Sequence, residues 1–587
     1  MSQNLVIVES PAKAKTIEKF LGPGYIVKSS IGHIRDMPKK DMGIDIENNF
    51  QPTYTISTDK KKVVADLKKS AKAATKIYLA TDEDREGEAI AWHLQQALSL
   101  AEDTPRIVFH EITKGAITEA ISKPRTINTD LVNAQQARRI IDRLVGFEIS
   151  PVLWRKISGA RSAGRVQSPV VRLVVERERE ISAHKPTSSH KVKATLTNSI
   201  GESLEARLSE DFKSKENAMD FVQSILDSTM KVESVETKPS KRSPKAPFIT
   251  STLQQEASQK LGFSVKQTMS IAQNLYREGV ITYMRTDSLT LSELAITAAQ
   301  EVIVSKFGSD HHHARRYKTN STSAQEAHEA IRPTDLTKPT ILGLDEQSAK
   351  LYSLIYKRTL ASQMSDAQLQ KTKININISN RSERFIADGE MLTFGGFLEV
   401  YDYMAAEDKL LPKIDKGDAL SLMDLTSKES FSRAKPRYTE ASLVKEIEQM
   451  GIGRPSTFAT MITTVQDRNY VLKDTREGIQ RDYQLIEIVD GVISESIQTE
   501  TTGAEKNKLF PTNVAYLLVD FLVKNFRNII GYEFTANLET DFDLIAEESK
   551  SWADVIRNFY DPFHKQIELA KDISRDETHG KRDLGED

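Results

Sequence analysis

The sequence predicts a multidomain protein of mixed α/β and α class, with an α/β unit at its start and discontinuous domains after it. Three observations lead there. At 587 residues the chain is too long for one core, because domains commonly close near ~150 residues. The first hundred residues alternate short apolar runs with helical patterns. Strand-like sequence over 186–245 returns over 372–439, on the far side of a helical insert, so one strand-rich domain is built from two separated segments.

The α/β unit covers 1–127. Leu-Val-Ile-Val-Glu (5–9) is an apolar run followed by the helix-like stretch that contains Lys13. Lys-Ile-Tyr-Leu-Ala-Thr (76–81) is a second run, followed by Asp-Glu-Asp-Arg-Glu-Gly-Glu and then helical spacing. Strand–turn–helix repeated in this way predicts a mostly parallel sheet, with ligands gathering at the carboxyl ends of its strands. Glu9 and Asp82 both stand at such ends and are expected to meet. Segments 128–185 and 440–572 read as mainly helical, and 238–247 as a basic, proline-bearing linker. Residues 246–371 read as a helical domain interrupted by a strand, Val-Ile-Thr-Tyr-Met-Arg-Thr.

Composition excludes several classes of function. Apolar residues make up 39% and charged residues 28%, the proportions of an ordinary globular protein. No apolar run nears the ~18 residues needed to cross a bilayer, and the start lacks a signal-peptide pattern. A soluble, cytoplasmic protein without membrane contact is expected. The chain has no cysteine, which removes disulfides, thiolate zinc sites and cysteine nucleophiles. No phosphate-binding Gly-x-x-x-x-Gly-Lys-[Ser/Thr] occurs, so no nucleotide cofactor is expected. The net charge of −2 decides nothing about nucleic acid, and charge has to be read locally.

Four constellations carry chemistry. Asp82, Asp84 and Glu86 are spaced by two, so on an extended segment their carboxylates point one way. With Glu9 they make a candidate site for Mg²⁺, a hard ion held by a few carboxylates, water and phosphate oxygens. A solvated acidic loop is the alternative. Tyr283 and Arg285 share one face of the expected strand. A phenolate can attack a phosphodiester while the guanidinium stabilises the charge, although such pairs are more often structural. His328 and Arg332 are four apart on an expected helical face and can hold a phosphate, or simply end a charged helix before Pro333. Finally, between Ala134 and Arg172 eight basic residues, among them Arg138, Arg139 and Arg143, face only two acidic ones. Within that stretch Ser162, Ala163, Gly164, Arg165, Val166 and Gln167 let backbone amides approach phosphates, and Arg454 in Gly-Ile-Gly-Arg-Pro-Ser-Thr is similar in kind.

Eight segments, in order, resemble the bacterial type IA DNA topoisomerases of the topoisomerase I branch. They are LVIVESPAKAKTI, SSIGHIRDMP, LATDEDREGEAIAWHL, NAQQARRIIDRLVGF, SAGRVQS, ITYMRTDS, AQEAHEAIRP and GIGRPSTFA, spanning about residues 5 to 460. The resemblance implies an N-terminal Toprim (Rossmann-like) domain and a toroidal core with discontinuous domains. It implies ATP-independent cleavage of single-stranded DNA within underwound duplex, strand passage and rejoining by a monomer associated with the nucleoid. Tyr283 would form a 5′-phosphotyrosine, Arg285 would neutralise the phosphate, Glu9 would serve in acid/base work and Lys13 would contact the scissile phosphate. Asp82, Asp84 and Glu86 would hold Mg²⁺. His33, Arg139, Arg143 and His328 would grip the strand, with 162–167 lining its path. Phe147 stands where relatives often have a tyrosine in a cytosine pocket. Residues 573–587 resemble the opening of a further C-terminal region, most of which is absent here. Competing readings are another Toprim enzyme, a nuclease or primase without a covalent tyrosine, and a catalytically silent DNA-binding protein.

Overall fold

The computed structural model describes residues 3–318, 329–402, 409–527 and 530–573. Its N-terminal sheet has Asn4–Val8 at the centre, parallel to Tyr25–Ser29 on one side and Ile77–Leu79 on the other. The central strand is apolar at every position from Leu5 to Val8 because it is covered on both faces. Leu5 and Ile7 pack with Val64, Leu67 and Ile90, from the helices Lys61–Ala73 and Arg85–Leu98. Val6 and Val8 join a different core that contains Ile281, Tyr283 and Met284. One face of the first domain is thus continuous with the domain that carries the tyrosine.

That second domain is helical, with Thr250–Glu256, Val265–Arg277, Glu293–Phe307 and Glu346–Ser362. The helical region expected from 128–185 and 440–572 forms one core. Ile140 and Leu144 of the long helix Thr129–Lys156 lie with Val444, Ile462, Leu522, Phe542 and Phe559. The strand-rich domain is an eight-stranded sheet. Ser188–Thr197 sits beside Ala419–Phe431 in antiparallel register, which joins its two sequence segments. A short further pairing, Met230 with Leu420, closes the sheet back toward its first edge.

Several local expectations are overturned. Residues 440–572 are not helical throughout, because Ile479–Val489 and Val492–Thr502 extend the large sheet. The basic stretch read as a linker is half strand: Met230–Arg242 pairs with Ala367–Ile378 through Arg242. Val280–Thr286 forms no ladder. Ile281 makes one bridge with Pro333, and the Tyr283 amide donates to the His110 carbonyl at 2.9 Å, so neighbours on either side replace a regular partner. Residues 329–333 are not helical; Ile331 bridges Phe248 instead. His328, and the C-terminal residues 574–587, lie outside the described residues. Among the described residues no helix is long and apolar enough to cross a membrane.

Candidate active site

The first sheet brings Glu9 and Asp82 together as the strand-end rule predicts. Between them stands Lys13, on the first turn of helix Pro11–Leu21, whose Nζ donates to Glu9 Oε1 and Asp82 Oδ1. The ammonium is almost fully buried at 1% exposure, and it lies 5.0 Å from the Tyr276 ring centroid. A buried cation needs compensation, and two carboxylates supply it. Burial pushes Asp82 up to about 7, helped by the charge of Glu9 and opposed by Lys13.

The acidic cluster is not extended, which corrects the period-two expectation. Asp84 caps the helix Arg85–Leu98, accepting from the Gly87 amide at 2.8 Å, and Glu86 is already on the first helical turn. Only glycine fits at 87, since a Cβ there would stand 2.1 Å from the Asp82 carbonyl oxygen. Buried Arg106 holds the same turn, donating to the Thr81 and Asp82 carbonyls at 2.9 and 2.6 Å and to Glu88. Sequence reading missed Arg106, for no local pattern marks it.

Asp84 reaches across to the second domain, where Tyr283 Oη donates to its Oδ2 at 2.6 Å. Arg285 Nη1 stands 3.6 Å from the same oxygen. Tyr283 is 2% exposed and packs edge-on to Tyr276 at 5.1 Å. Burial, then the charges of Asp84 and Asp82, hold its phenol well above the ordinary value. His33 Nε2 lies 2.7 Å from Glu86 Oε1. Burial alone would raise Glu86, but the His33 bond and charge override it and bring the carboxyl down to about 2.

Glu9, His33, Asp82, Asp84, Glu86, Arg138, Arg139 and Arg285 line one cavity of about 780 Å³. It continues past Arg138, Arg139, Asp142, Thr457 and Thr460 into a second of about 770 Å³, lined by Arg143, Phe147 and residues 162–167. Among the described residues no three carboxylate or imidazole groups already converge as a ligand set. Each acid has a partner: Lys13 for Asp82, Tyr283 for Asp84, His33 for Glu86. The donor chemistry still suits magnesium, because that ion needs only one or two carboxylates and takes its other ligands from water and phosphate.

Not every candidate residue faces the cavity freely. Arg165 is buried between Asp142 and Glu539, at 2.8 and 2.9 Å, so it braces the 162–167 segment from below. Arg332 is 7% exposed and holds Glu111 of the first domain at 3.0 Å as well as Glu329. It is a domain-to-domain contact and is not placed to grip a strand. Arg139 is engaged with Asp36 at 2.8 Å, and Arg143 with the carbonyls of Pro38, Asp41 and Met42. Arg454 and Arg85 share Asp543, tying the acidic turn to the helical region.

A family model for DNA topoisomerase matches residues 126–504, and a model for the Toprim domain matches 4–112. DNA topoisomerase 1 of Campylobacter jejuni is 42% identical, over 97% of this chain and 80% of its own length. This chain belongs to the bacterial DNA topoisomerase 1 family. The Escherichia coli topoisomerase 1 is 41% identical, with 67% of its length covered, and that of Streptomyces coelicolor 42%, with 61% covered. The full-length topoisomerase I structure from Thermotoga maritima superposes with a TM-score of 0.82 at 37% identity, covering 96% of this chain and 90% of that one. A Toprim domain and a topoisomerase core are therefore the architecture here, as the eight topoisomerase-like segments imply.

Proposed function

We propose that this topoisomerase-family chain cleaves and reseals single-stranded DNA through Tyr283, without a nucleotide cofactor, and so relaxes underwound duplex. The observation that supports the reading is the 2.6 Å bond from Tyr283 Oη to Asp84, which joins a tyrosine of one domain to the acidic turn of another. Tyr283 Oη would form the new bond to phosphorus while the bond to the 3′ oxygen breaks, leaving a 5′-phosphotyrosine and a 3′-hydroxyl. Asp84 is within reach of the phenolic proton, and Arg285 beside it can balance charge on the phosphoryl oxygens. Lys13, buried between Glu9 and Asp82, is a donor that can supply the proton the leaving oxygen takes. Asp82, Asp84 and Glu86 would hold Mg²⁺, which supplies positive charge beside the reacting phosphate when bound. Resealing reverses the exchange of one phosphodiester for another, so it requires no external energy source.

The test is to incubate the chain with end-labelled single-stranded oligonucleotide and Mg²⁺, denature, and look for label on the protein. Adduct from the unaltered chain and none from Tyr283→Phe is the expected result. Scission without any protein-linked label would instead favour a Toprim nuclease, and adduct from the variant would move the nucleophile elsewhere.

A further inference from the structure

The groove beyond the catalytic cavity is lined in part by two side chains, Trp154 and Arg468, that the proposed chemistry does not use. Among the described residues, Trp154 is the one tryptophan, tyrosine or phenylalanine that stands exposed, at 60%. A lone indole left in water needs a reason, since tryptophan normally buries its large apolar surface. Trp154 lines the 770 Å³ groove seven residues after Phe147 on the helix Thr129–Lys156, so the two share a helical stripe about 10 Å apart. Its ring is anchored, because Nε1 donates to the Arg161 carbonyl.

Across the groove runs the helix Phe458–Asp467, which ends at Arg468. Arg161 Nη1 donates to the Asp467 carbonyl at 3.1 Å, so the loop that anchors Trp154 also touches the residue next to Arg468. Arg468 lines the same groove, and its Nη1 is buried without a hydrogen-bond partner. Arg139 and Arg143 along the groove are engaged with protein acceptors, whereas Arg468 keeps a buried guanidinium nitrogen, Nη1, without one. A flat apolar face and a cation with an unfilled donor on the walls of one groove match the two halves of a nucleotide, its base and its phosphate.

We propose that Trp154 and Arg468 form a nucleotide subsite at the far end of the strand groove, Trp154 stacking on a base and Arg468 holding an adjacent phosphate. The inference deepens the proposed function and rests on it. Stacking on an indole ignores base identity, so the subsite would fix how far the strand extends from Tyr283 and would not select a sequence.

Binding of fluorescein-labelled oligodeoxythymidylates of graded length, followed by anisotropy, tests it. For chains of about twelve nucleotides Trp154→Ala should weaken binding between about fivefold and a hundredfold, the range of one lost base–aromatic stack. Trp154→Phe should restore most of that loss, and oligonucleotides too short to reach the groove end should not respond. Arg468→Ala should lower the log–log salt slope by ~0.7, one phosphate contact on a single strand. A single abasic position walked along the twelve-mer supplies the discriminating readout. One position should weaken the unaltered chain and fall silent in Trp154→Ala. Equal penalties for both proteins at every position would overturn the subsite and leave Trp154 a structural residue. If the unaltered chain bound no single strand and formed no adduct, the proposed function would fail together with the subsite. Tight binding and a normal adduct combined with a silent abasic walk would sink the subsite alone.

Discussion

Tyr283 and Asp84, far apart in sequence and in different domains, share a 2.6 Å hydrogen bond in which the phenol is the donor. The Tyr283 phenol is therefore held protonated, with burial and two carboxylates opposing its ionisation. Under the proposed function, attack by this phenol would require that balance to change, and an arriving phosphate with its counter-charge would be the trigger.

From this follows an expectation for the free protein. Tyr283 should titrate above ordinary phenols, and Asp84→Asn, which removes the neighbouring charge and keeps a hydrogen-bond acceptor, should bring it down. Ultraviolet difference titrations, with Tyr283→Phe subtracted to isolate this tyrosine, provide the measurement. An unaltered Tyr283 ionising at or below the usual phenol range would contradict the stored-proton arrangement.

Lys13 should prove structural as well as chemical. Lys13→Met leaves Glu9 and Asp82 without their shared cation, and stripping one partner from a buried ion network commonly costs ~3–5 kcal/mol. Thermal unfolding should show a clear loss for the single variant. Adding Asp82→Asn should recover part of it, since one uncompensated charge is then removed. Additive losses in the double variant would mean the pair is not coupled.

Gly279 sets how closely the tyrosine domain seats on the first domain. Its φ of +76° and the 2.3 Å separation between a built Cβ and the Ile112 carbonyl oxygen leave no room for a side chain. Gly279→Ala should cost more than the ~1–2 kcal/mol of a left-handed alanine alone and should lower adduct yield by displacing Tyr283. Gly308→Ala is the control: φ is +91° but nothing lies within 4 Å, so adduct yield should hold. Equal adduct yields from the two variants would show that the close approach to Ile112 does not position the tyrosine.

Glu539 gives the helical region an acid limit. It is fully buried against Arg165, with Arg138 and Arg454 near; burial would raise its pKa, but the three cations bring it down from 4.5 to about 2. A depressed carboxyl stabilises the fold above its unfolded value and loses that contribution as pH falls from about 4.5 toward 2. The full difference is on the order of 3 kcal/mol. Glu539→Gln should be less stable at neutral pH, yet flatter with pH across that acid window. Parallel pH profiles for the two proteins would remove Glu539 as the cause.

The sequence by itself determined much of this protein. The apolar run 5–9 and the run 76–81 specified adjacent parallel strands, and strand-end chemistry then placed Glu9 beside Asp82. The order of eight motifs determined the family, because each motif is a local constraint legible residue by residue. Tertiary structure alone decided who partners whom. Period two was the wrong geometry for Asp82, Asp84 and Glu86, since a helix cap intervenes at Asp84 and local spacing cannot tell a cap from a strand. Lys13 as the cation between two carboxylates, Arg332 as an interdomain contact and Arg106 as the brace of the acidic turn were all invisible in sequence. Each depends on a charge being buried opposite a residue from another segment. Burial of that kind is set by how whole faces pack, which no window of neighbouring residues contains.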